Sequence, residues 1–464
     1  MEPDLVVFNG VDPVTGDYLW PPLPLDDLAH RIVGRLRQPV RRHRIRVRRA
    51  IAEVDPKDLA ATGWGVVFAP DTSPEVREAL QPLLDHRRDQ AARQQEHLFQ
   101  VYDLLPGEST SAFLSGLGAA PGPVDPQVVP YYLLLVGSPD SLPFSFQYRL
   151  DVQHGVGRLW FPDAEDYARY AARLIASEAA AAKIPASEPT SPAVPREVVF
   201  FGPSHLGDEA TRLSSRELVT PLAASLPGGR SGWTGRAFLG SAASKARLAS
   251  LLGGEETPSL LFTAGHGLGL SCGHDDQHSL QGALLCGEWP GPGSGPIPAT
   301  CFLSSTDLPE RANLRGMIAF HFACYSAGTP QWDTFAPRDE RQIAPAPFLA
   351  DLPLALLRRG ALAVIGHIDR AWLYSFLWLH QKAQIGAFQS TLEQLLDGNP
   401  VGAAMEYFGE RYAQISTELT LALDPGPDGL RIGDLELMQL WTANGDARSY
   451  VVLGDPAVRL AARP

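Results

Sequence analysis

Two short motifs in the second half of the sequence could carry out acyl-transfer chemistry. His266-Gly267 follows an apolar run from Leu260 to Ala264, and Cys324 ends the apolar run that begins at Met317. A thiolate is a competent nucleophile, and an imidazole can remove or supply the proton that such a reaction transfers. The backbone N–H groups of Gly267 and Cys324 could hold an oxyanion, because glycine leaves room for a close approach.

The elements around these motifs must bring them together if they act as one site. From about residue 197 onwards, short apolar runs alternate with helical patterns. This alternation predicts an α/β fold with a largely parallel sheet flanked by helices. Catalytic groups in such sheets lie at the carboxyl ends of strands, where His266 and Cys324 both fall. We therefore expect the two side chains to face each other across one crevice.

The rest of the chain predicts three parts. Residues 1–125 have a role that the sequence leaves open. Ser73 is a plausible N-cap of a long polar helix that continues to Leu105, and the arginine-rich stretch from Arg41 predicts an edge strand. Residues 126–190 predict a smaller α/β subdomain, and residues 197–464 predict the catalytic domain. Residues 184–197, rich in proline and serine, predict a linker.

Composition limits the function classes. The formal net charge of −13 argues against a dedicated nucleic-acid binder. Four cysteines without CxxC spacing suggest a reducing compartment. No apolar run is long enough for a membrane span, and the N-terminus lacks a basic leader, so we expect a cytoplasmic protein with no membrane partner. Abundant arginine, alanine, glycine and proline suggest a bacterial origin.

The two motifs resemble those of the caspase-like (clan CD) cysteine peptidases, a group with caspases, separase, gingipains, CHAT peptidases and other prokaryotic caspases. Two further stretches resemble the gingipains: PYYLLLVGSPDSLPFSFQYRLDVQHGVGRLWF, and YVVLGDPAVRL near the C-terminus. The resemblance covers roughly residues 126 to 464. It implies a caspase-like α/β/α sandwich preceded by a smaller gingipain-like α/β subdomain. It also implies a peptidase without a cofactor, in which Cys324 attacks the scissile carbonyl and His266 protonates the leaving amine.

Substrate preference and activation are further expectations. A pocket for arginine needs a carboxylate, because an unpaired buried cation is costly. Asp151, in the gingipain-like stretch, and Asp369, beyond the strand AVIGH, could each supply it, so we predict cleavage after arginine. The expected partners are protein substrates. Residues 325–345 could be cut near Arg338 or Arg341 by an activating protease, or they could be an ordinary surface loop that is not cut.

Other interpretations of the sequence remain. The protein could be an inactive caspase-like module that only binds partners, and the intact His/Cys pair argues against this. A nucleotide-binding α/β protein is disfavoured because no GxGxxG or GxxxxGK[ST] motif follows a strand. Cys272, His274 and His278 are close enough for zinc, but they lie in a glycine-rich loop without a clear fourth ligand, so we predict no metal site. His321 is expected in the core, and His367 could line the cleft.

Overall fold

The computed structural model describes residues 5–6, 8–20, 23–24, 54–182, 196–226, 232–254, 256–314, 316–333, 335, 341–378, 382–423 and 432–460. Ten strands form one central sheet. In chain order they are β1 (Trp64–Phe68), β2 (Phe99–Asp103), β3 (Tyr132–Val136), β4 (Gly155–Leu159), β5 (Glu197–Gly202), β6 (Thr234–Leu239), β7 (Leu260–Ala264), β8 (Ile318–Phe322), β9 (Ala363–His367) and β10 (Tyr450–Gly454).

The sheet consists of two parallel halves. Its strand order is β2-β1-β3-β4-β10-β9-β8-β7-β5-β6. Every neighbouring pair is parallel except β10 and β9, which are antiparallel. We call β2-β1-β3-β4-β10 the first half-sheet and β9-β8-β7-β5-β6 the second half-sheet. The C-terminal strand β10 therefore joins the two halves in the middle of the sheet.

Helices cover the sheet. The eight inner strands are buried along almost their whole length, as expected for a parallel sheet covered on both faces, whereas the edge strands β2 and β6 are partly exposed. The helices are Leu59–Thr62, Pro74–Ala91, Thr110–Gly116, Phe144–Leu150, Ala164–Ala182, Glu209–Leu213, the π-helix Ser214–Val219, Thr220–Ser225, Lys245–Leu252, Gln277–Leu280, Asp351–Arg358, Gly386–Leu396, Val401–Ala404, Glu406–Leu423 and Asp434–Ala447. None of them, within the described ranges, is long and apolar enough to cross a membrane.

The predicted fold class is confirmed, because the structure has a mixed α/β architecture around a large, mostly parallel sheet. Ser73 caps the helix Pro74–Ala91 by accepting a hydrogen bond from the Val76 N–H. The prediction that this helix continues to Leu105 is wrong, because residues 99–103 form β2. Phe99 stacks on Trp64 of β1 with ring centroids 5.8 Å apart, so tertiary packing outweighs the local polar pattern.

Part of the N-terminal region lies in the first half-sheet. Strands β1 and β2 come from residues 64–103, and β1 pairs directly with β3. The expected edge strand from Arg41 and most of the expected linker lie outside the described residues. A second, four-stranded sheet forms beside the ends of β7 and β8, in the order Phe302–Leu303, Leu284–Leu285, Gly267–Leu268, Gly10–Val11.

Candidate active site

His266 and Cys324 leave neighbouring strands at the same edge of the sheet. Ala264 at the end of β7 is paired with Phe322 at the end of β8, and the Gly265 N–H donates to the Phe322 carbonyl at 3.1 Å. Parallel pairing with no register shift therefore brings the two chain exits side by side. At Gly267 a Cβ atom would lie 1.9 Å from the Cys324 carbonyl oxygen, so only glycine fits beside the cysteine.

The N–H groups of Gly267 and Cys324 converge on one oxygen. Each donates to the backbone carbonyl of Asn9, and both N···O distances are 3.2 Å. Two backbone donors aimed at one carbonyl oxygen form the arrangement that stabilises an oxyanion during acyl transfer. These two donors were predicted from the sequence, whereas the carbonyl that they bind was not.

The imidazole of His266 is oriented by a buried carboxylate that the sequence analysis missed. Its Nε2 donates to Asp208 Oδ2 at 2.8 Å, and Tyr18 and Thr211 also donate hydrogen bonds to Asp208. Burial raises the pKa of Asp208, but the charge of His266 and the hydrogen bonds from the neighbouring side chains outweigh it and hold the pKa well below its usual value. Asp208 is therefore a carboxylate that fixes the ring of His266.

The other nitrogen of His266 is free for chemistry. Nδ1 has no hydrogen-bond partner among the described residues, although the side chain is fully buried. The ring packs between Tyr18 and Trp289, with centroid distances of 5.8 and 5.6 Å, both in edge-on geometry. These contacts hold the ring in place while leaving Nδ1 available to exchange a proton.

Cys324 is also fully buried. Its Sγ accepts a hydrogen bond from the Ala371 N–H at 3.1 Å. Burial raises the pKa of the thiol well above its usual value, although the Ala371 N–H and the charge of Arg370 oppose that rise. The thiol is therefore neutral in this state. The next residue, Tyr325, has a left-handed backbone with φ of 57°, a conformation that often marks a functional turn.

The two carboxylates expected to read arginine lie in different places. The negative charge of Asp369 is close enough to Cys324 to raise the pKa of the thiol. Asp369 Oδ1 accepts a hydrogen bond from the Arg370 N–H at 2.8 Å and also contacts the Arg370 guanidinium. Asp151 ends the helix Phe144–Leu150 between β3 and β4, where its backbone carbonyl lies beside Gly409 and its carboxyl group is close to the charge of Arg158. Burial raises the pKa of Asp151 well above its usual value.

The remaining histidines and the cysteine loop have structural contacts. His321 Nδ1 lies 2.8 Å from Thr263 Oγ1, and burial lowers its pKa to about 4. The two ring nitrogens of His367 lie 3.2 and 3.1 Å from the backbone carbonyl oxygens of Asp369 and Asp446. Both are core residues, as expected for His321. Cys272 is exposed. His278 lies in the following short helix Gln277–Leu280 and packs on Phe348, with ring centroids 4.1 Å apart.

Two arginines were expected to mark an activating cut. Arg341 is exposed, whereas Arg338 lies outside the described residues. The activating cut remains a prediction.

Comparison with known proteins shows similarity at the level of the fold. A solved structure entitled "Structure of Protease" is 14% identical, with a TM-score of 0.50, over 87% of this chain and 80% of that one. The Arg-specific cysteine proteinase gingipain R is 12% identical, with a TM-score of 0.48, over 86% and 78%. Separase of Saccharomyces cerevisiae, in complex with securin, is 11% identical, with a TM-score of 0.32, over 70% of this chain and 15% of that one. No protein-family model matches the sequence, and no curated protein is significantly similar to it.

Proposed function

We propose that the protein is a cysteine endopeptidase that acts through His266 and Cys324. The observation that supports this most directly is the convergence of the Gly267 and Cys324 N–H groups on one carbonyl oxygen beside the thiol. His266 follows the adjacent strand, with Nε2 bound to a carboxylate and Nδ1 without a partner among the described residues. A nucleophile, a proton carrier and an oxyanion site are the three parts that peptide cleavage needs.

Each residue has a defined role in the proposed reaction. His266 accepts the thiol proton of Cys324, and the thiolate attacks the scissile carbonyl carbon. The Gly267 and Cys324 N–H groups stabilise the resulting oxyanion, and protonated His266 gives its proton to the leaving amine. Water then hydrolyses the thioester and regenerates the thiol. Asp208 is a positioning residue, since it accepts the Nε2–H and orients the ring so that Nδ1 accepts and then returns the transferred proton.

The proposal includes regulated cleavage of protein substrates. Regulation is supported by the cover over the cleft, because residues 8–20 of the chain lie on His266 and Cys324 and both side chains are fully buried. Cleavage after arginine and a cytoplasmic location remain predictions. Asp369 forms an ion pair with Arg370, so it could bind a substrate arginine only if this ion pair broke.

The test is hydrolysis of fluorogenic peptides and of an unfolded protein substrate. Cys324→Ala and His266→Ala should each reduce turnover by a factor of about 10³ or more, because they remove the nucleophile or its proton carrier. Cys286→Ala is the matched control, since Cys286 is equally buried but contacts Leu284 through its sulfur. Retained activity in Cys324→Ala would contradict the proposal.

The second candidate function is a catalytically inactive binding module. It would be favoured if the wild-type protein hydrolysed no peptide under any condition and still bound a partner through the cleft. Selective alkylation separates the two functions further. A substrate-like electrophile should modify Cys324 ahead of the exposed Cys272 only if His266 activates the thiol.

A further inference from the structure

Residues 8–11 of the chain lie in the cleft in the manner of a bound substrate. The carbonyl oxygen of Asn9 occupies the oxyanion site, with both donor distances at 3.2 Å. The Asn9 N–H donates to the Ala371 carbonyl at 3.0 Å, and Phe8 forms an antiparallel bridge with Trp372. The Gly10 N–H donates to the Phe8 carbonyl at 3.2 Å, so the backbone bends at Asn9. Backbone pairing on both sides of this bend holds the segment beside the thiol, as in strand-addition recognition of peptides.

The pairing continues beyond the presented carbonyl. Gly10 and Val11 pair in parallel with Gly267 and Leu268, and the Gly269 N–H donates to the Val11 carbonyl at 2.9 Å. A Cβ atom on Gly10 would lie 3.1 Å from the Cys324 sulfur, so the thiol lies beside the residue that follows the presented carbonyl. Because the Asn9 carbonyl oxygen is bound by the two oxyanion donors, the bond between Asn9 and Gly10 is the candidate scissile bond.

The side chain of Asn9 lies in a buried pocket with one hydrogen-bond acceptor. Its Nδ2 donates to Ser214 Oγ at 3.2 Å, whereas its Oδ1 has no partner among the described residues. The Ser214 hydroxyl itself donates to the Ala210 carbonyl at 2.8 Å, so its hydrogen is committed and its oxygen can only accept. An aspartate in this pocket would place a carboxylate oxygen against that acceptor. The pocket therefore favours the amide over the acid of the same shape.

The preceding residue also has a defined subsite. Phe8 is buried, and its ring lies 4.9 Å from the Trp372 ring and 5.8 Å from the Arg370 guanidinium. Arg370 is held by ion pairs with Asp333 and Asp369. The buried guanidinium thus forms part of the wall for an aromatic side chain, with a cation–π contact.

We infer that the enzyme cleaves its own chain between Asn9 and Gly10 and that the same pocket selects asparagine in other substrates. This inference rests on the proposed peptidase function, and its preference for asparagine replaces the preference for arginine predicted from the sequence. The Cys324 thiolate adds to the Asn9 carbonyl carbon, the C–N bond to Gly10 breaks, and His266 delivers the proton to the new amino group of Gly10. Water hydrolyses the Asn9 thioester, releases residues 1–9 with a free carboxylate and restores the thiol.

The direct test uses the full-length chain, incubated and analysed by intact mass and N-terminal sequencing. The wild-type protein should acquire an N-terminus at Gly10, and Cys324→Ala should not. The chain contains a second Asn-Gly pair, Asn444-Gly445, which lies within a helix and serves as an internal control. Spontaneous Asn-Gly chemistry would occur in Cys324→Ala as well, so release of residues 1–9 from that variant would overturn the inference.

The specificity is tested with paired substitutions. Asn9→Asp should slow the appearance of Gly10 at least about tenfold, because a carboxylate would be desolvated against an acceptor. In a Ser214→Ala background the difference between asparagine and aspartate at position 9 should shrink to about threefold, since the discriminating oxygen is gone. An unchanged ratio would contradict the assignment of the pocket.

Cleavage of separate peptides distinguishes failure of this inference from failure of the proposed function. A peptide with the sequence of residues 4–13 should be cut after its asparagine by the processed enzyme, and a peptide with arginine in place of asparagine should be cut at least about tenfold more slowly. Cys324-dependent hydrolysis that prefers arginine, or that occurs without any cut after Asn9, would overturn the inference and leave the peptidase intact. Absence of all Cys324-dependent hydrolysis would overturn both.

Discussion

The two half-sheets share one topology, and only one of them carries the proposed site. The first four strands of each half are arranged in the same order, β2-β1-β3-β4 and β6-β5-β7-β8. His266 follows β7 by two residues, and the equivalent position after β3 is Ser138. Cys324 follows β8 by two residues, and the equivalent position after β4 is Phe161. Each half-sheet therefore has a pair of adjacent strand ends, and the residues that follow these ends determine whether they can catalyse a reaction.

The buried carboxylates of the two half-sheets also have different partners. In the first half, Asp455 beyond β10 binds the buried guanidinium of Arg87 at 2.7 Å, and Arg87 also pairs with Glu178. In the second half, Asp208 binds His266, whose other nitrogen has no partner among the described residues. A network with partners on every side contributes to structure, whereas one that leaves a proton-carrying atom free can act on a substrate.

The largest expected effect is the loss of stability on breaking the network of the first half. Asp455→Asn leaves the Arg87 guanidinium buried with one carboxylate fewer, and this should reduce the free energy of unfolding by about 3 kcal/mol. Denaturant unfolding measures the loss. The kcat/KM of the folded fraction should stay unchanged, and a large drop in kcat/KM would contradict the separation between the halves.

Next in size is the effect of the second-half carboxylate on catalysis. Asp208→Asn should lower kcat about 100-fold with little change in KM, because the ring of His266 loses its fixed orientation. Asp71→Asn is the matched control, as Asp71 is exposed in the loop after β1, the counterpart of the loop after β5 that contains Asp208. Equal effects of the two substitutions would remove the positioning role of Asp208.

A third effect should be shared by the two halves. Burial lowers the pKa of His154 beside β4 and of His321 on β8 to about 4 each, whereas an unfolded histidine has a pKa of about 6.5. Between these values only the unfolded chain binds the proton, so stability is full above about pH 6.5 and falls as the pH drops towards 4. Each histidine should account for roughly 2–3 kcal/mol.

Substitution tests this shared pH dependence. His154→Gln and His321→Gln should each flatten the dependence of the unfolding free energy between pH 6.5 and 4, as measured by denaturant titration at several pH values. Similar slopes for the two variants are expected because burial, and not catalysis, causes both shifts. A slope that only one variant changes would show that the two halves bury their histidines differently.

The smallest effects should come from ion pairs at the two edges of the sheet. Asp103 on β2 pairs with Arg77, and Glu197 on β5 pairs with Arg236 of β6 at 2.6 Å. Asp103→Asn and Glu197→Gln should each change the unfolding free energy by less than about 1 kcal/mol, because these pairs are partly solvated. High salt should reduce the difference from wild type further, and an increase with salt would contradict an electrostatic origin.

Local patterns in the sequence determined much of the fold and the two central residues of the site. The apolar runs at β3, β5, β7, β8 and β9 predict strands because a strand buried on both faces must be continuously apolar. Gly267 beside His266 was predicted from the sequence to allow a close approach to the backbone. In the structure a Cβ atom at this position would clash with the Cys324 carbonyl. Strand β2 could not be predicted from the sequence, since this exposed edge strand mixes polar and apolar residues.

Only the tertiary structure decided what surrounds the two central residues. Asp208 reaches His266 from 58 residues away, and Asn9 reaches Ser214 from 205 residues away. The N-terminal Phe-Asn-Gly stretch has no local pattern that indicates a position in the cleft. Its position there depends on the hydrogen bonds that Asn9 accepts from the N–H groups of Gly267 and Cys324. Local hydrophobic periodicity reports which residues are buried, whereas the pairing of distant carboxylates, carbonyls and hydroxyls is set by chain packing alone.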